Sequence, residues 1–414
     1  MSSKWLSLDA ALENAMRATP VVTETEQVDI LHAHGRICAH DIIATQDVPP
    51  WDNSAMDGFA LNTKAMPAHN TLTIQGTVTA GMAANEALIP YSAIKIMTGA
   101  PLPEGANAVV MKENTSSSTD GKVLINNVPK DGENIRRKAN DIAIGDCLIS
   151  AGTRLRPEHL MLLSSQGVAK VAVFKKVRVG VVATGSELAA PGTTRLPTQI
   201  FESNRLGVSA TLSQLNVDIV DFGIVKDDEA TLRQLFSDAS ERVDIMVSSG
   251  GVSVGDADFV KDIIEELGSI TFWKLAIKPG KPFALGNIAN TLFCGLPGNP
   301  VSAFVTAKLL MLPIVRRMQG EQNITFPLTL NAKITCELKR KAGRRDFQRA
   351  TLQQDDTGNL FVTPFAKQSS GVMTSITAAN CFMIIHEQTS EIAEGETVSV
   401  LPFDLHSPLI GYQA

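Results

Sequence analysis

From Val177 onward, short apolar runs alternate with amphipathic segments. V-R-V-G-V-V-A-T-G reads as a buried strand, and a helix opens near Ser203. Strand D-I-V-D-F-G-I-V, helix Ala230 to Arg242, strand V-D-I-M-V, helix Phe259 to Leu267 and strand I-T-F-W-K-L-A follow. Strands alternating with helices predict βαβ units and a mainly parallel sheet, in which ligands sit beyond the carboxyl ends of the strands. After T-L-F-C-G-L-P-G-N-P comes an apolar helix from Val301 to about Met318, with Pro313 expected to kink it. At the front, Leu8 to Met16 shows helical spacing and stops at Thr19-Pro20, and Val28 to Ile43 is mixed enough for a short helix. From Phe59 to about Ile149, short strand patterns are punctuated by Asp120-Gly121, Asp131-Gly132 and Gly145-Asp146, as in a small β-rich domain. The chain returns to strand-like texture from about Thr325, predicting a separate C-terminal β domain. The fold class is therefore α/β and multidomain.

The chain has 414 residues, 44% apolar and 19% charged, enough for several domains with ample core. A net charge of −6 and a pI near 5.7 argue against a general nucleic-acid binder. Cys38, Cys147, Cys294, Cys336 and Cys381 are scattered and form no C-x-x-C, predicting reduced, buried thiols, no structural zinc and a cytoplasmic protein. Asp9 comes too early for a secretory leader, and no apolar run approaches a membrane span.

The strand ends carry the candidate chemistry. S-S-G-G-V-S-V-G-D-A-D (Ser248 to Asp258) crowds backbone amides and two aspartates at a helix start. Free amides and the helix dipole attract an anion, whereas Asp256 and Asp258 repel one; a divalent cation between them reconciles the two. Aspartates at a helix start also serve as plain caps. Glu187 of T-G-S-E-L and Asp227 of V-K-D-D end two further strands, with Asp228 expected as the cap. Acids at three strand ends, with a phosphate partner, suit Mg²⁺. No complete G-x-G-x-x-G follows the first strand and there is no Walker A, which disfavours ordinary dinucleotide and P-loop enzymes. Lys274, Lys278 and Lys281 cannot form a helical stripe across Pro279-Gly280, so K-P-G-K-P reads as a rigid anion clamp. G-L-P-G-N-P-V-S places Pro297, Asn299 as cap, Pro300 and Ser302 at another helix start. Between Lys333 and Arg349 stand seven Lys/Arg against two acids, suited to a phosphorylated ligand. Asp57 and Thr98 precede Gly58 and Gly99 and read alone as turn residues.

Six motifs in order, D-N-S-A-M-D-G-F-A, M-T-G-A-P-L-P, T-G-S-E-L, S-G-G-V-S-V-G-D-A-D, K-P-G-K-P and G-L-P-G-N-P-V-S-A-F, resemble the molybdopterin molybdenumtransferases, the bacterial MoeA proteins and the gephyrin E domain. Trp51 and Phe59 stand where that family often has Phe and Tyr. The resemblance implies an elongated four-domain homodimer with an active cleft shared between subunits. Its domains would be residues 1–46 with 142–175 (mixed N-terminal linker domain), 47–141 (inserted β-rich), 176–325 (three-layer α/β, molybdopterin-binding) and 326–414 (β-barrel-like). The implied activity is insertion of molybdate into the dithiolene of adenylylated molybdopterin, with Mg²⁺-dependent release of AMP.

The resemblance also implies roles. Glu187, Asp227, Asp256 and Asp258 would hold Mg²⁺. Gly250, Gly251, Ser253, Lys274, Lys278, Lys281, Pro297, Pro300 and Ser302 would grip phosphate, pterin and molybdate, completed by Ser370 and by Arg349 or Arg345. Asp57, Thr98 and Asp141 would reach the cleft from the partner's β domain. The upstream adenylyltransferase and downstream apo-molybdoenzymes are further expected partners. Three other readings stay open: a molybdopterin adenylyltransferase, a non-catalytic pterin-binding scaffold on the same fold, and an unrelated sugar-phosphate or nucleotide phosphatase using the same acids.

Overall fold

The computed structural model describes residues 5–117, 120–251 and 259–404. Two compact units emerge: Met1–Ala39 with Gly152–Arg156 and Lys170–Ala414, and His40–Ala151 with Pro157–Ala169.

The first unit is built on one seven-stranded sheet. Its elements are β1 (Trp5–Leu6), α1 (Leu8–Ala18), β2 (Arg178–Thr184), α2 (Asn204–Ser213), β3 (Asp218–Val225), α3 (Glu229–Arg242), β4 (Ile245–Ser249), α4 (Phe259–Leu267), β5 (Gly268–Leu275), β6 (Pro282–Ile288), β7 (Thr291–Leu296) and α5 (Pro300–Thr306). The strand order is β1-β5-β6-β7-β4-β2-β3, and only β6 runs against its neighbours.

Period-2 alternation divides the sheet's two faces. Val179, Val181, Ile245, Val247, Leu292, Cys294 and Leu296 pack with α1, α2 and the long helix that begins with α5. Val182, Met246 and Phe293 pack on the opposite face with Leu232, Phe236 and Ala239 of α3 and Val260, Ile263 and Ile264 of α4. Both faces are thus covered, giving three layers. Within α1, Ser7 caps the start by accepting from the Ala10 amide at 3.2 Å, and Leu8, Ala11 and Ala15 bury one helical stripe.

The long helix does not simply kink at Pro313. After α5 it passes through a π turn, Ala307–Met311, before Leu312–Met318 resumes α geometry, which accommodates the hydrogen bond that proline cannot make. Strands Leu330–Ile334, Arg345–Gln354, Leu360–Pro364, Cys381–Ile385 and Thr397–Pro402 close into a barrel, since the second pairs with both the third and the fourth. In place of a helix between Val28 and Ile43, Thr25–Asp29 forms a strand paired with Lys170–Phe174, and only Ile30–His32 makes a 3₁₀ turn. A strand long enough to pair five residues outweighs the weak helical pattern there.

Among the described residues, the second unit holds a six-stranded sheet made from Gly58–Leu61, Thr71–Val78, Ser92–Ile96, Ala108–Met111, Thr115–Ser117 and Lys122–Ile125, plus one α-helix, Pro157–Ser165. Phe59, Leu61, Leu72, Ala93, Val110 and Val123 form the core on one of its faces.

Candidate active site

The carboxyl ends of β2, β3, β4 and β7 open on one cavity of about 770 Å³ within the first unit. Thr184, Gly185 and Glu187 enter it after β2, Asp227 after β3, Gly250 and Gly251 after β4, and Pro297, Gly298 and Asn299 after β7. Lys278, Pro279, Gly280 and Lys281 follow β5, and Ser302 projects from the first turn of α5. Arg344, Gln368, Ser369 and Ser370 come from the C-terminal barrel.

Backbone geometry, not side chains, shapes the Gly250-Gly251 corner. Both glycines have positive φ, +97° and +66°, and a Cβ on Gly250 would lie 2.5 Å from the Thr184 carbonyl oxygen. Gly250→Ala should therefore lose roughly 1–3 kcal/mol to backbone strain, with the clash in addition. A thermal unfolding midpoint equal to that of the parent protein would refute this.

The acidic side of the cavity is Glu187 and Asp227. The Glu187 carboxylate folds back on Gly185, where a Cβ would meet Oε2 at 2.7 Å. Lost hydration and then the neighbouring Glu187 push the Asp227 carboxyl above the usual range, while the Ser186 backbone N–H works against the rise. Asp228 stays out of this pair as the cap of α3, its Oδ2 accepting from the Thr231 amide at 2.9 Å and the hydroxyl at 2.5 Å. Among the described residues, no three His, Cys, Asp or Glu side chains gather as a metal centre. Ser253, Asp256 and Asp258 lie outside the described residues. Glu187 and Asp227 are thus the carboxylates that the described residues bring to this cavity, and the Glu187 charge disfavours that of Asp227.

The basic side is Lys278, Lys281 and Arg344. Lys278 Nζ stands 3.4 Å from Oδ2 of the buried Asp346, yet its side chain keeps 45% exposure towards the cavity. Lys281 and Arg344 both lie over the Trp5 ring, at 5.4 and 5.7 Å from its centroid. Ser302 is only 5% exposed, and the Asn299 side chain lines the cavity without making a capping bond.

Several expected residues fall elsewhere. Lys274 lies within β5 and is not part of the lining. Pro300 borders a smaller side pocket instead. Arg345 is engaged by Glu387 at 3.0 Å and Asp9 at 3.2 Å. Arg349 is fully buried: its Nε donates to Ser375 Oγ at 3.1 Å, and its backbone exchanges hydrogen bonds with the Gln368 amide, so it braces the segment that carries Ser369 and Ser370. The arginine on the cavity is Arg344, which the D-F-Q-R spacing gave no reason to prefer. Thr184 lines the cavity, as its place in T-G-S-E-L suggests, and Gln368 and Ser369 are further lining residues that no motif singled out as ligand-binding.

Asp57, Thr98 and Asp141 belong to the second unit and are exposed. Asp57 Oδ1 accepts from both the Thr98 amide and hydroxyl at 2.8 Å, and these bonds hold its carboxyl below the usual range. In Thr98→Val the backbone donor remains and the hydroxyl is lost, so the Asp57 titration midpoint should rise part of the way back. Carboxyl NMR would show it, and an unmoved midpoint would contradict the assignment. Cys38, Cys294 and Cys381 are buried as expected, but Cys147 is exposed and Cys336 half-buried; the Cys381 thiol is pushed up to about 12 by burial, leaving no nucleophile there. No helix among the described residues is long and apolar enough to cross a membrane.

Comparison with known proteins follows the same division of the chain. Residues 6–167 match the MoeA N-terminal region (domain I and II), residues 180–317 a probable molybdopterin binding domain, and residues 331–403 the MoeA C-terminal region (domain IV). A molybdopterin molybdenumtransferase of Haemophilus influenzae is 40% identical over 399 residues, covering 96% of this chain and 99% of that one. One from Nostoc is 33% identical over 387 residues, covering 91% and 88%. Crystal structures of molybdopterin biosynthesis MoeA protein from Pyrococcus horikoshii superpose with TM-scores of 0.77 and 0.81 at 33% and 27% identity, each covering 97% of this chain and 100% of the other. Matched along nearly its whole length in sequence and in fold, the chain belongs to the molybdopterin molybdenumtransferase family.

Proposed function

We propose that this enzyme of molybdenum cofactor biosynthesis inserts molybdate into the dithiolene of adenylylated molybdopterin and releases AMP with the help of Mg²⁺. The observation that carries the reading is the charge of the cavity lining, which combines Glu187 and Asp227 with Lys278, Lys281 and Arg344. A pyrophosphate-bearing substrate and a tetrahedral dianion need cationic groups, amides and hydroxyls. Lys278, Lys281, Arg344, Ser302 and Ser370 supply them. Glu187 and Asp227, with Asp256 and Asp258, would hold Mg²⁺, which would offset negative charge on the pyrophosphate while water cleaves its P–O–P bond, leaving one phosphate on the pterin and freeing the other as AMP.

The protein's part is placement. Lysines and hydroxyls fix molybdate beside the dithiolene sulfurs, turning an encounter of two anions into a positioned reaction. Gly250 and Gly251 let the backbone approach the phosphates closely, and Ser253, two positions further along the sequence, would add a hydroxyl to them. Asp57, Thr98 and Asp141 complete the cleft from the partner subunit of a cytoplasmic homodimer. Each protomer has four domains, at 1–46 with 142–175, 47–141, 176–325 and 326–414. The upstream adenylyltransferase supplies the substrate, and apo-molybdoenzymes receive the product.

An adenylyltransferase reading is disfavoured because the matches to flanking regions, residues 6–167 and 331–403, are those of MoeA. A scaffold role predicts binding without turnover. The deciding experiment mixes purified protein with adenylylated molybdopterin and Mg²⁺, with and without molybdate, and follows AMP. Molybdate-dependent AMP release, with product that activates an apo-molybdoenzyme, is expected. Tight binding with no release would leave only the scaffold.

A further inference from the structure

Trp5 is 47% exposed, is not part of the main cavity's lining, and precedes the residues that match the MoeA N-terminal region. Its indole nevertheless carries two of the cavity's cations. Lys281 Nζ lies 5.4 Å from the ring centroid and the Arg344 guanidinium carbon 5.7 Å. Both residues line the cavity, Lys281 from the K-P-G-K-P turn and Arg344 from just before the barrel strand Arg345–Gln354. The neighbouring cations are held by acids, Lys278 by Asp346 and Arg345 by Asp9 and Glu387. Among the described residues, neither Lys281 nor Arg344 has a carboxylate partner.

The backbone fixes where the ring stands. Trp5 pairs with Lys274 of β5 in parallel register, and the Leu6 carbonyl accepts from the Ala276 amide at 2.7 Å. The Ala276 carbonyl in turn accepts from the Arg345 amide at 2.9 Å, and the Leu275 amide donates to the Lys281 carbonyl at 2.8 Å. One hydrogen-bonded network therefore ties Trp5 to the chain at both cations. Arg344 Nη1 also donates to the Ile277 carbonyl at 3.4 Å.

We infer that Trp5 is a positioning residue: its ring holds Lys281 and Arg344 together, so that an oxyanion entering the cavity meets two cations already in place. The inference rests on the anionic substrates proposed above and deepens that reading. Two like charges held side by side repel each other, and long side chains without an acidic partner gain entropy by swinging into water. The negative face of an indole offsets the repulsion and leaves both charges whole. A carboxylate in the same place would compete with the ligand for the charge-assisted hydrogen bonds of both groups, and a ring does not.

The test compares the full-length parent with Trp5→Leu, which keeps apolar bulk, and Trp5→Phe, which keeps a smaller ring. Calorimetry gives Kd for molybdate and, separately, for inorganic pyrophosphate, and the AMP-release assay gives KM and kcat. Trp5→Leu should raise both Kd values about fivefold to fiftyfold, the cost of ordering two long side chains on binding. Trp5→Phe should fall between the parent and Trp5→Leu, because a phenyl face attracts cations less than an indole face. KM for molybdate should rise in Trp5→Leu while kcat stays within about twofold, since the ring meets the cations and not the reacting atoms. If Trp5→Leu fails to fold in a thermal scan, Trp5→Phe must by itself weaken both anions. Unchanged Kd values, equal weakening by Leu and Phe, or a fall in kcat at constant KM would overturn the inference. So would a parent protein that binds neither anion. AMP release with anion binding indifferent to Trp5 would remove the inference alone; anion binding that depends on Trp5, without AMP release, would remove the transferase reading and leave Trp5 its role.

Discussion

Lys278→Ala should lower kcat/KM for molybdenum insertion by about two to three orders of magnitude, the loss typical of removing a group aimed at developing or transferred negative charge. The side chain is 45% exposed and lines the same cavity as Glu187 and Asp227. A purely structural account competes with this one. Asp346 is 1% exposed and has two side-chain partners, Lys278 Nζ at 3.4 Å and Gln348 Nε2 at 3.2 Å. Removing the lysine strands a buried carboxylate, which is costly by itself. The two accounts separate in Lys278→Ala/Asp346→Asn. Neutralising Asp346 should recover most of the lost stability, because no unpaired charge remains. It should not recover activity if Lys278 holds an anion. Recovery of both together would make Lys278 only the counter-ion of Asp346.

How far the sequence anticipates this site depends on the range of the interactions involved. Helices Phe259–Leu267 and Glu229–Arg242 agree with their apolar periodicity to within a residue, since amphipathic spacing and caps such as Asp228 are local signals. The glycine turns and lysines of the strand ends are legible for the same reason. Strand Pro282–Ile288 is not: Pro282 and Gly286 punctuate it, and its pairing with Gly268–Leu275 is a tertiary choice. The arginines show the limit most clearly. Arg344, Arg345 and Arg349 look interchangeable in a basic run, but Phe347 and Ser375 enclose Arg349, Asp9 and Glu387 engage Arg345, and Arg344 is left to the cavity. Partners more than 300 residues apart, as Asp9 and Arg345 are, leave no spacing to read.

Glu321→Gln should cost roughly 2–4 kcal/mol at neutral pH, the largest stability loss expected from removing a single charge here. Glu321 is 7% exposed and accepts from two guanidinium groups. Arg154 donates to Oε2 through Nη2 at 2.7 Å and Nε at 3.1 Å, and Arg316 donates to Oε1 at 2.6 Å and Oε2 at 2.9 Å. Arg154 also reaches the Gly35 carbonyl at 2.8 Å and Gln319 Oε1 at 2.7 Å, so the cluster ties three distant chain segments together. The arginines retain 20% and 25% exposure, which places the loss below that of a fully buried triad. Burial alone would raise the Glu321 carboxyl, but Arg316 and Arg154 outweigh it and hold it below the usual range. A carboxyl depressed by folding contributes its full stability above the unfolded value, near 4.3 for glutamate, and loses it as pH falls through the lower folded value. Stability of the parent protein should therefore drop on acidification from about pH 5 downward more steeply than that of Glu321→Gln, which has no such proton to take up. Denaturant midpoints at pH 7 and pH 4 measure both effects. Parallel pH dependence in the two proteins would mean that the arginines do not set the charge of Glu321.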